Sequence, residues 1–238
     1  ITKKPAFTSS NGPELWVLLI EKAWAKICGN YARTIAGLPS EVLTCMTNAY
    51  TESINISNKA PNSVKDELWE KINKGIEKRF IMTAATGAEK AEYYQTVGLE
   101  QGHAYSLISS AEVEDAGQKV RLVQIRNPWG ESEWSGDWSD NSTKWKPNLK
   151  KQLKVVEEDD GVFWMSFEDF INYFTNVCIC KIYTDYVYSY QKFNKTQAKN
   201  MNLSEIRIKE DTHIFIQMHQ RNKRFITKQG KHIEDQTL

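Results

Sequence analysis

Two short segments carry side chains that could move protons together: Gly102-His103-Ala104-Tyr105-Ser106 and Arg126-Asn127-Pro128-Trp129-Gly130. An imidazole titrates near neutrality, so it can take a proton from a weak nucleophile and return one to a leaving amine. A carboxamide cannot do this, but its carbonyl oxygen can hold one ring nitrogen and fix the tautomer. A thiol protease needs both groups beside a sulfur nucleophile. Gly102 leaves room for a substrate backbone, and Trp129 can shield a His103–Asn127 hydrogen bond from water, which strengthens it. Taken singly the residues say little. A histidine at a strand start is usually structural, and an asparagine before proline is usually a turn former.

The elements around these segments must bring them together. Gly102–Ser109 and Lys119–Arg126 read as strands, and the Glu/Asp/Gly-rich linker between them predicts an antiparallel pair. His103 then opens one strand and Asn127 directly follows the other, so the two side chains meet at one end of a sheet. A further strand is expected at 80–83 and another at 177–183. A capped helix is expected over Ser166–Thr175. Upstream, helices are predicted from Pro13 to Cys28 and from Ser63 to Arg79. The first has an apolar stripe of Leu15, Leu18, Leu19, Ala23 and Ile27 and stops at Gly29. The second starts with a Ser63/Asp66 capping box and carries a stripe of Val64, Leu68, Ile72, Ile76 and Phe80. Residues 30–62 read as loops with at most one short element. The segment 127–147 has no periodicity, yet its tryptophans require a fixed conformation.

The 31 Lys/Arg and 30 Asp/Glu residues balance, which excludes a general attraction to nucleic acid. No apolar run reaches the ~20 residues of a membrane span. The start, Ile1-Thr2-Lys3-Lys4-Pro5, has no apolar signal core, and its lack of Met is expected of a fragment or a processed product. The four cysteines (Cys28, Cys45, Cys178 and Cys180) show no metal-ligand spacing, and with no secretory signal they are expected as unbridged thiols in the cytoplasm. Their plain reading is as small buried hydrophobes. Past about residue 186 the composition shifts, with strand-like alternation at 206–208 and 213–218.

Together the two chemical segments, in this order and at this separation, resemble the second half of the calpain protease core. The resemblance continues through Glu133-Trp134-Ser135-Gly136-Asp137-Trp138-Ser139-Asp140, through Asp159-Asp160-Gly161-Val162-Phe163-Trp164-Met165-Ser166-Phe167-Glu168-Asp169-Phe170, and back into Glu14-Leu15-Trp16 and Glu21-Lys22-Ala23-Trp24-Ala25-Lys26. It covers about residues 10–185. It implies an α+β fold: a papain-like second subdomain with an antiparallel sheet or barrel and flanking helices over 1–185, and the incomplete start of a C2-like β-sandwich over 186–238. His103 would be the catalytic base and acid, Asn127 its orienting partner, Gly102 and Trp129 part of the substrate cleft. Trp129 would move with calcium. One Ca2+ would be held by Glu133, Asp140, the backbone carbonyl of Glu158, and Asp160, all oxygen donors as a hard cation requires. Where the family has a further acidic ligand this chain has Val162, which cannot ligate, so either calcium affinity is reduced or water fills that place. Residue by residue, without the resemblance, a scatter of Asp and Glu reads more simply as a solvated acidic loop. Leu43-Thr44-Cys45-Met46-Thr47-Asn48-Ala49-Tyr50 does not reproduce the family's Gly-rich stretch near the cleft, which implies different subsites. The family's nucleophilic cysteine stands in a Gly-Asp-Cys-Trp-like setting that none of the four cysteines has. Cys28 ends a helix, where the dipole raises rather than lowers a thiol pKa.

The leading reading is therefore a calcium-dependent cysteine endopeptidase cutting intracellular proteins at limited sites. This chain supplies the His/Asn half, is inactive alone, and needs the Cys-bearing first subdomain as partner. The alternative is a non-proteolytic calpain-like scaffold; a pure scaffold has no chemical need for the His103–Asn127 pair. A lone C2-type lipid module would explain only the last fifty or so residues. The basic cluster Arg221-Asn222-Lys223-Arg224 offers a contact for acidic membrane lipid or an acidic loop, and reads more simply as a solvated strand end.

Overall fold

The computed structural model describes residues 6–10, 12–192 and 205–218. Two compact units divide the chain: residues 39–210, and residues 1–38 with 211–238. The expected boundary at 186 falls inside the larger unit.

In the smaller unit, α1 (Trp16–Cys28) ends at Gly29, whose φ of 103° only glycine tolerates easily and whose N–H returns to the Lys26 carbonyl. The helix starts after Leu15 rather than at Pro13, which lies in a bend ahead of it. Its period is helical, but the covered side is that of Trp24, Ala25 and Cys28. The expected stripe is left open: Leu15 and Leu19 are each 63% exposed and Ile27 54%. Periodicity identifies faces; it does not say which of them has a partner surface. A 3-10 turn, Tyr31–Thr34, follows, its start held by the Asn30 carboxamide accepting from the Arg33 N–H at 3.1 Å.

The larger unit is built on one six-stranded antiparallel sheet in the order β1-β6-β2-β3-β4-β5. Its strands are β1 (Tyr50–Asn55), β2 (Ile81–Thr86), β3 (Ala104–Asp115), β4 (Gln118–Arg126), β5 (Val162–Ser166) and β6 (Phe174–Lys181). The helices are α2 (Pro39–Thr47), α3 (Asn62–Glu77), and the short α4 (Ala91–Gln95), α5 (Pro147–Leu153) and α6 (Phe167–Tyr173). Residues 30–62 thus hold more order than expected. The α2 helix ends at Asn48, φ 54°, and the chain turns into an edge strand. Tyr-Thr-Glu-Ser-Ile-Asn is weakly apolar and is recruited by the distant β6, with Glu52 lying between Lys71 (2.9 Å) and Lys181 (2.6 Å). Partial burial raises the Glu52 pKa, but the two ammonium groups outweigh it and hold the carboxyl below its ordinary value.

The Ser63/Asp66 capping box does not form: α3 begins at Asn62 behind Pro61 with no side-chain cap, and Asp66 instead pairs with Arg121 of β4 at 2.5 Å. The α6 cap does form. Ser166 Oγ accepts from the Asp169 N–H (3.0 Å) and donates to its carboxylate (2.7 Å). No strand exists over 205–218. The alternating Ile206, Ile208, Ile214 and Ile216 are exposed, and alternation makes no ladder unless another strand pairs with it. Residues 221–224 lie outside the described residues.

The β3–β4 hairpin turns through Ala116 and Gly117, both with positive φ, which matches the twist of the strands it joins. A bulge between Leu107 and Ser109 switches which face the odd residues of β3 occupy. Tyr105 and Leu107 therefore enter the larger core, with Leu68, Trp69 and Ile72 of α3 and Phe170 of α6. Beyond the bulge, Ala111 and Val113 join a second cluster formed by Leu122, Trp138, Trp145, Leu149 and Trp164. The tryptophan-rich segment is fixed as its composition required. Trp134, Trp138 and Trp145 are buried, and the Trp134 and Trp145 indole N–H groups donate to the carbonyls of Asp137 (2.9 Å) and Ser139 (2.8 Å).

Where this segment meets the turn after α4, Gly98 has φ 77°, and a Cβ there would stand 1.9 Å from the Glu133 carbonyl oxygen. Gly117 has φ 81° with nothing within 4 Å. Urea denaturation should therefore separate two substitutions at similar backbone angles. Gly117→Ala is expected to cost about 1 kcal/mol from backbone strain alone. Gly98→Ala is expected to cost about 2–5 kcal/mol, because backbone atoms must also give way. Equal losses would contradict the close approach.

Candidate active site

The last ladder pair of the hairpin is Ser106–Arg126, so His103 sits just before β3 and Asn127 just after β4 at the same end of the sheet. The His103 Nε2 and Asn127 Oδ1 atoms are 2.9 Å apart. Asn127 is fully buried. Its amide nitrogen donates to two carbonyls, Glu131 at 2.7 Å and Ser132 at 3.1 Å, and this settles which end of the side chain is oxygen. The oxygen also accepts the Trp129 N–H at 3.1 Å. An acceptor fixed in this way calls for a proton on Nε2. Nδ1 then keeps its lone pair, and no hydrogen bond to it is made among the described residues. His103 itself is partly exposed. Its ring packs against Trp129 (centroids 4.3 Å apart) and edge-on against Tyr105 (4.8 Å). Trp129 is 59% exposed, so one wall of the site is an indole open to solvent. Gly102 has φ 58°, and a Cβ there would meet nothing within 4 Å, so open space lies beside the histidine.

The support beneath Asn127 is not foreseen by the sequence pattern. The Asn127 N–H donates to the Gly161 carbonyl at 2.7 Å. Gly161 has φ 83°, and a Cβ there would lie 2.7 Å from the Asn127 carbonyl oxygen and 3.0 Å from Gly130 Cα. Glycine is required by contact as well as by angle. The signal is present as Asp159-Asp160-Gly161 before an apolar run, but which backbone the glycine approaches depends on the β4–β5 pairing. The Glu131 and Ser132 carbonyls carry no sequence signal, since any residue supplies a carbonyl.

The four expected metal-binding residues lie along neighbouring loops. Glu133 Oε1 accepts the N–H groups of Gly161 (2.7 Å) and Asp160 (3.0 Å), and Asp160 Oδ1 accepts the Val162 N–H (2.8 Å). Asp140 is buried, and its Oδ2 has no hydrogen-bond partner among the described residues. Burial, then the charges of Glu133 and Asp160, push its pKa up to about 7 despite a hydrogen bond from the Glu158 backbone. Glu133 is raised as well, first by burial. The carboxylates sense one another but do not converge. Among the described residues, no three His, Cys, Asp or Glu side chains are gathered to hold one ion, and one Glu133 oxygen is taken up by backbone amides. Val162 opens β5 and brings no oxygen side chain.

None of the four cysteines is in a disulfide; Cys28, Cys178 and Cys180 are buried, while Cys45 is exposed, unlike the small buried hydrophobe expected. Burial pushes the Cys178 thiol up to about 11, the wrong direction for a nucleophile. Among the described residues, no helix is long and apolar enough to cross a membrane.

Comparison with known proteins gives this geometry a family. The profile described as calpain family cysteine protease matches residues 1–181. The chain is 39% identical over 183 residues to the calpain-1 catalytic subunit of Rattus norvegicus, covering 74% of this chain and 25% of that protein. It is 37% identical over 185 residues to the calpain-type cysteine protease DEK1 of Arabidopsis thaliana, covering 76% of this chain and 8% of that protein. With the calpain-2 catalytic subunit of Mus musculus it shares 35% identity over 200 residues, 79% of this chain and 27% of the relative. It therefore spans about a quarter or less of the length of these relatives. By profile and by identity, the chain belongs to the calpain family of cysteine proteases.

Proposed function

We propose that this chain supplies the His/Asn half of a calcium-dependent cysteine endopeptidase that cuts intracellular proteins at limited sites. The observation that carries the reading is the His103–Asn127 hydrogen bond, with an amide whose orientation is fixed by two further acceptors. A structural histidine needs no such clamp, and would not be left partly exposed with its second ring nitrogen unbonded among the described residues.

The chemistry follows from the tautomer. His103 Nδ1 takes the proton of a cysteine thiol supplied by a first subdomain. The thiolate attacks the scissile carbonyl carbon, and a tetrahedral oxyanion forms. The imidazolium then gives its proton to the leaving amine as the C–N bond breaks, leaving a thioester. Water, deprotonated by the same Nδ1, releases the acid product and the cysteine. Throughout, Asn127 Oδ1 keeps the Nε2–H donated to it, so the ring cannot turn away between steps. Gly102 gives the substrate backbone space, and Trp129 limits water beside the ring.

The papain-like two-part arrangement, the Cys-bearing partner half, protein substrates and a cytoplasmic setting belong to the same proposal. The exposed apolar stripe of α1 supports a partner half, because Leu15, Leu19 and Ile27 would gain from being covered. The unbridged thiols support a reducing compartment. A C2-like identity for 186–238, with any membrane contact, rests on the sequence resemblance. The scaffold alternative is disfavoured by retention of the full His–Asn geometry.

Calcium fits the acidic loops in one respect: Asp140 is a buried carboxylate with an orphaned oxygen, destabilised by two neighbouring acids. By resemblance to the family, Glu133, Asp140, the Glu158 carbonyl and Asp160 would hold the ion, and since they do not converge in this structure the loops would have to draw together around it. Bound calcium would supply charge that removes this repulsion. The loop matters to the site because Gly161 links it to both Glu133 and Asn127.

Two outcomes are expected. The chain alone should not cleave casein, whereas mixing it with a calpain first subdomain bearing the cysteine should give calcium-dependent cleavage. In that mixture His103→Ala should abolish turnover and Asn127→Ala should lower kcat by about 10²–10³ with KM little changed. An unaffected Asn127→Ala protein would reject the mechanism. The second test uses Asp140→Asn. Because the Asp140 carboxyl pKa is raised on folding from its ordinary 3.8 to about 7, the folded chain holds a proton the unfolded chain gives up. Stability should then fall as pH rises from about 4 to about 7 and level off above. In chelator, the wild-type melting temperature should drop by about 2–4 °C more than that of Asp140→Asn between pH 5 and 8. Added calcium should raise the wild-type value and leave the variant unchanged. Parallel pH curves, or equal responses to calcium, would reject the loop site.

A further inference from the structure

His103 is held at its ring by Asn127, but a catalytic ring is only as well placed as its own backbone. That backbone lies outside β3, in a turn that runs from Glu100 through Gln101 and the left-handed Gly102 (φ 58°). Beside it, β2 ends at Thr86, a residue only 5% exposed. The β2–β3 ladder runs Thr83–Ser106, Ala84–Tyr105 and Ala85–Ala104, so Thr86 comes opposite His103 where the ladder gives out. A register shift against β6 occurs at this same Ala85/Thr86 step.

Thr86 grips residue 103 by two atoms, its backbone nitrogen and its hydroxyl oxygen. Its backbone N–H donates to the His103 carbonyl at 3.0 Å. Its hydroxyl accepts the His103 N–H at 2.9 Å. The single hydroxyl proton goes to the Glu100 carbonyl at 2.6 Å, rather than to the His103 carbonyl at 3.3 Å. One side chain thus joins the first carbonyl of the turn to its last N–H. A second hydroxyl stiffens the same turn: Tyr105, whose ring stands edge-on to His103, accepts the Glu100 N–H at 2.8 Å. Gly102 adds a bond from its N–H to the Gly87 carbonyl at 2.9 Å. The turn that delivers the histidine is thus fastened from inside the fold by two hydroxyls together with backbone bonds to Thr86 and Gly87.

We infer that Thr86 is a positioning residue for His103: its hydroxyl sets the backbone of the histidine so that Nε2 reaches Asn127 and Nδ1 is left to act on a nucleophile. The inference rests on the functional reading above, and it adds a residue that touches neither substrate nor nucleophile. Valine at this position keeps the shape but leaves the His103 N–H and the Glu100 carbonyl without their partner in a partly buried place. The turn then relaxes, and the Nε2–H···Oδ1 bond opens more often. Serine keeps the hydroxyl and should keep the placement.

The test is imidazole 15N/1H NMR on the histidine-labelled full chain, with the rate of exchange of the His103 Nε2–H with water as the readout. Thr86→Val is expected to speed that exchange by about tenfold or more, and Thr86→Ser to stay within about twofold of wild type. If the valine chain does not fold, Thr86→Ala takes its place, with a smaller acceleration of at least about threefold expected. An unchanged exchange rate in a folded Val or Ala variant, even with a lowered melting temperature, would overturn the inference while leaving the functional reading intact. Failure of serine to restore the rate would overturn it as well. A wild-type Nε2–H that exchanges too fast to observe would remove the functional reading and this inference together.

Discussion

A neutral imidazole has one proton and two nitrogens, and a site of this kind works only if the proton stays on the nitrogen away from the nucleophile. The bond from His103 to Asn127 imposes that choice, and most of the local structure serves it. Asn127 is buried, so its carboxamide does not exchange its acceptors for water. Its nitrogen is committed to Glu131 and Ser132, so its oxygen cannot swap places with it. Its backbone is tied to Gly161, where no side chain fits. Low local dielectric makes each of these bonds stronger and makes any unpaired member costly, so the group behaves as one unit.

The sheet supplies the framework that this unit needs. A hairpin in correct register is what sets residues 103 and 127 side by side, and the register is held far from the site by burial on both faces. The bulge near Ser109 lets the same strand feed two cores, one under α3 and α6 and one among the tryptophans. A one-residue slip would turn Leu122 and Val123 to the wrong faces at once. The acidic loops hang from the same framework. Their repulsion at Asp140 is borne by the fold and is mechanically connected, through Gly161, to the orienting asparagine. That connection is the physical route by which an ion at the loop could bias the site.

Much of this is legible in the residues themselves. The His103 and Asn127 strands are readable because the hairpin is local, and the α6 cap because Ser166 and Asp169 are three residues apart. The fixed Trp-rich segment follows from the cost of exposing indoles. What escapes depends on distance. β1 has a weak pattern and exists because β6, far along the chain, accepts it. The Ser63/Asp66 box fails because the helix already starts at Asn62, which puts Ser63 inside it, and Asp66 pairs with Arg121 of another element instead. The open face of α1 shows the same limit, since an apolar stripe does not name its cover. Thr86 looks ordinary in the sequence, and the Asp159-Asp160-Gly161 run does not say which backbone its glycine approaches; both matter through what the fold lays against them.

The most direct measurement is the tautomer of His103, read from the long-range 1H–15N spectrum of its ring near pH 8. Wild-type chain should show a pyrrole-like Nε2 and a pyridine-like Nδ1 in a single slowly exchanging state. Asn127→Leu should collapse this to the averaged pattern of an unrestrained histidine. An averaged ring in the wild-type chain, or a proton on Nδ1, would contradict the claim that the carboxamide holds the imidazole ready for a sulfur nucleophile.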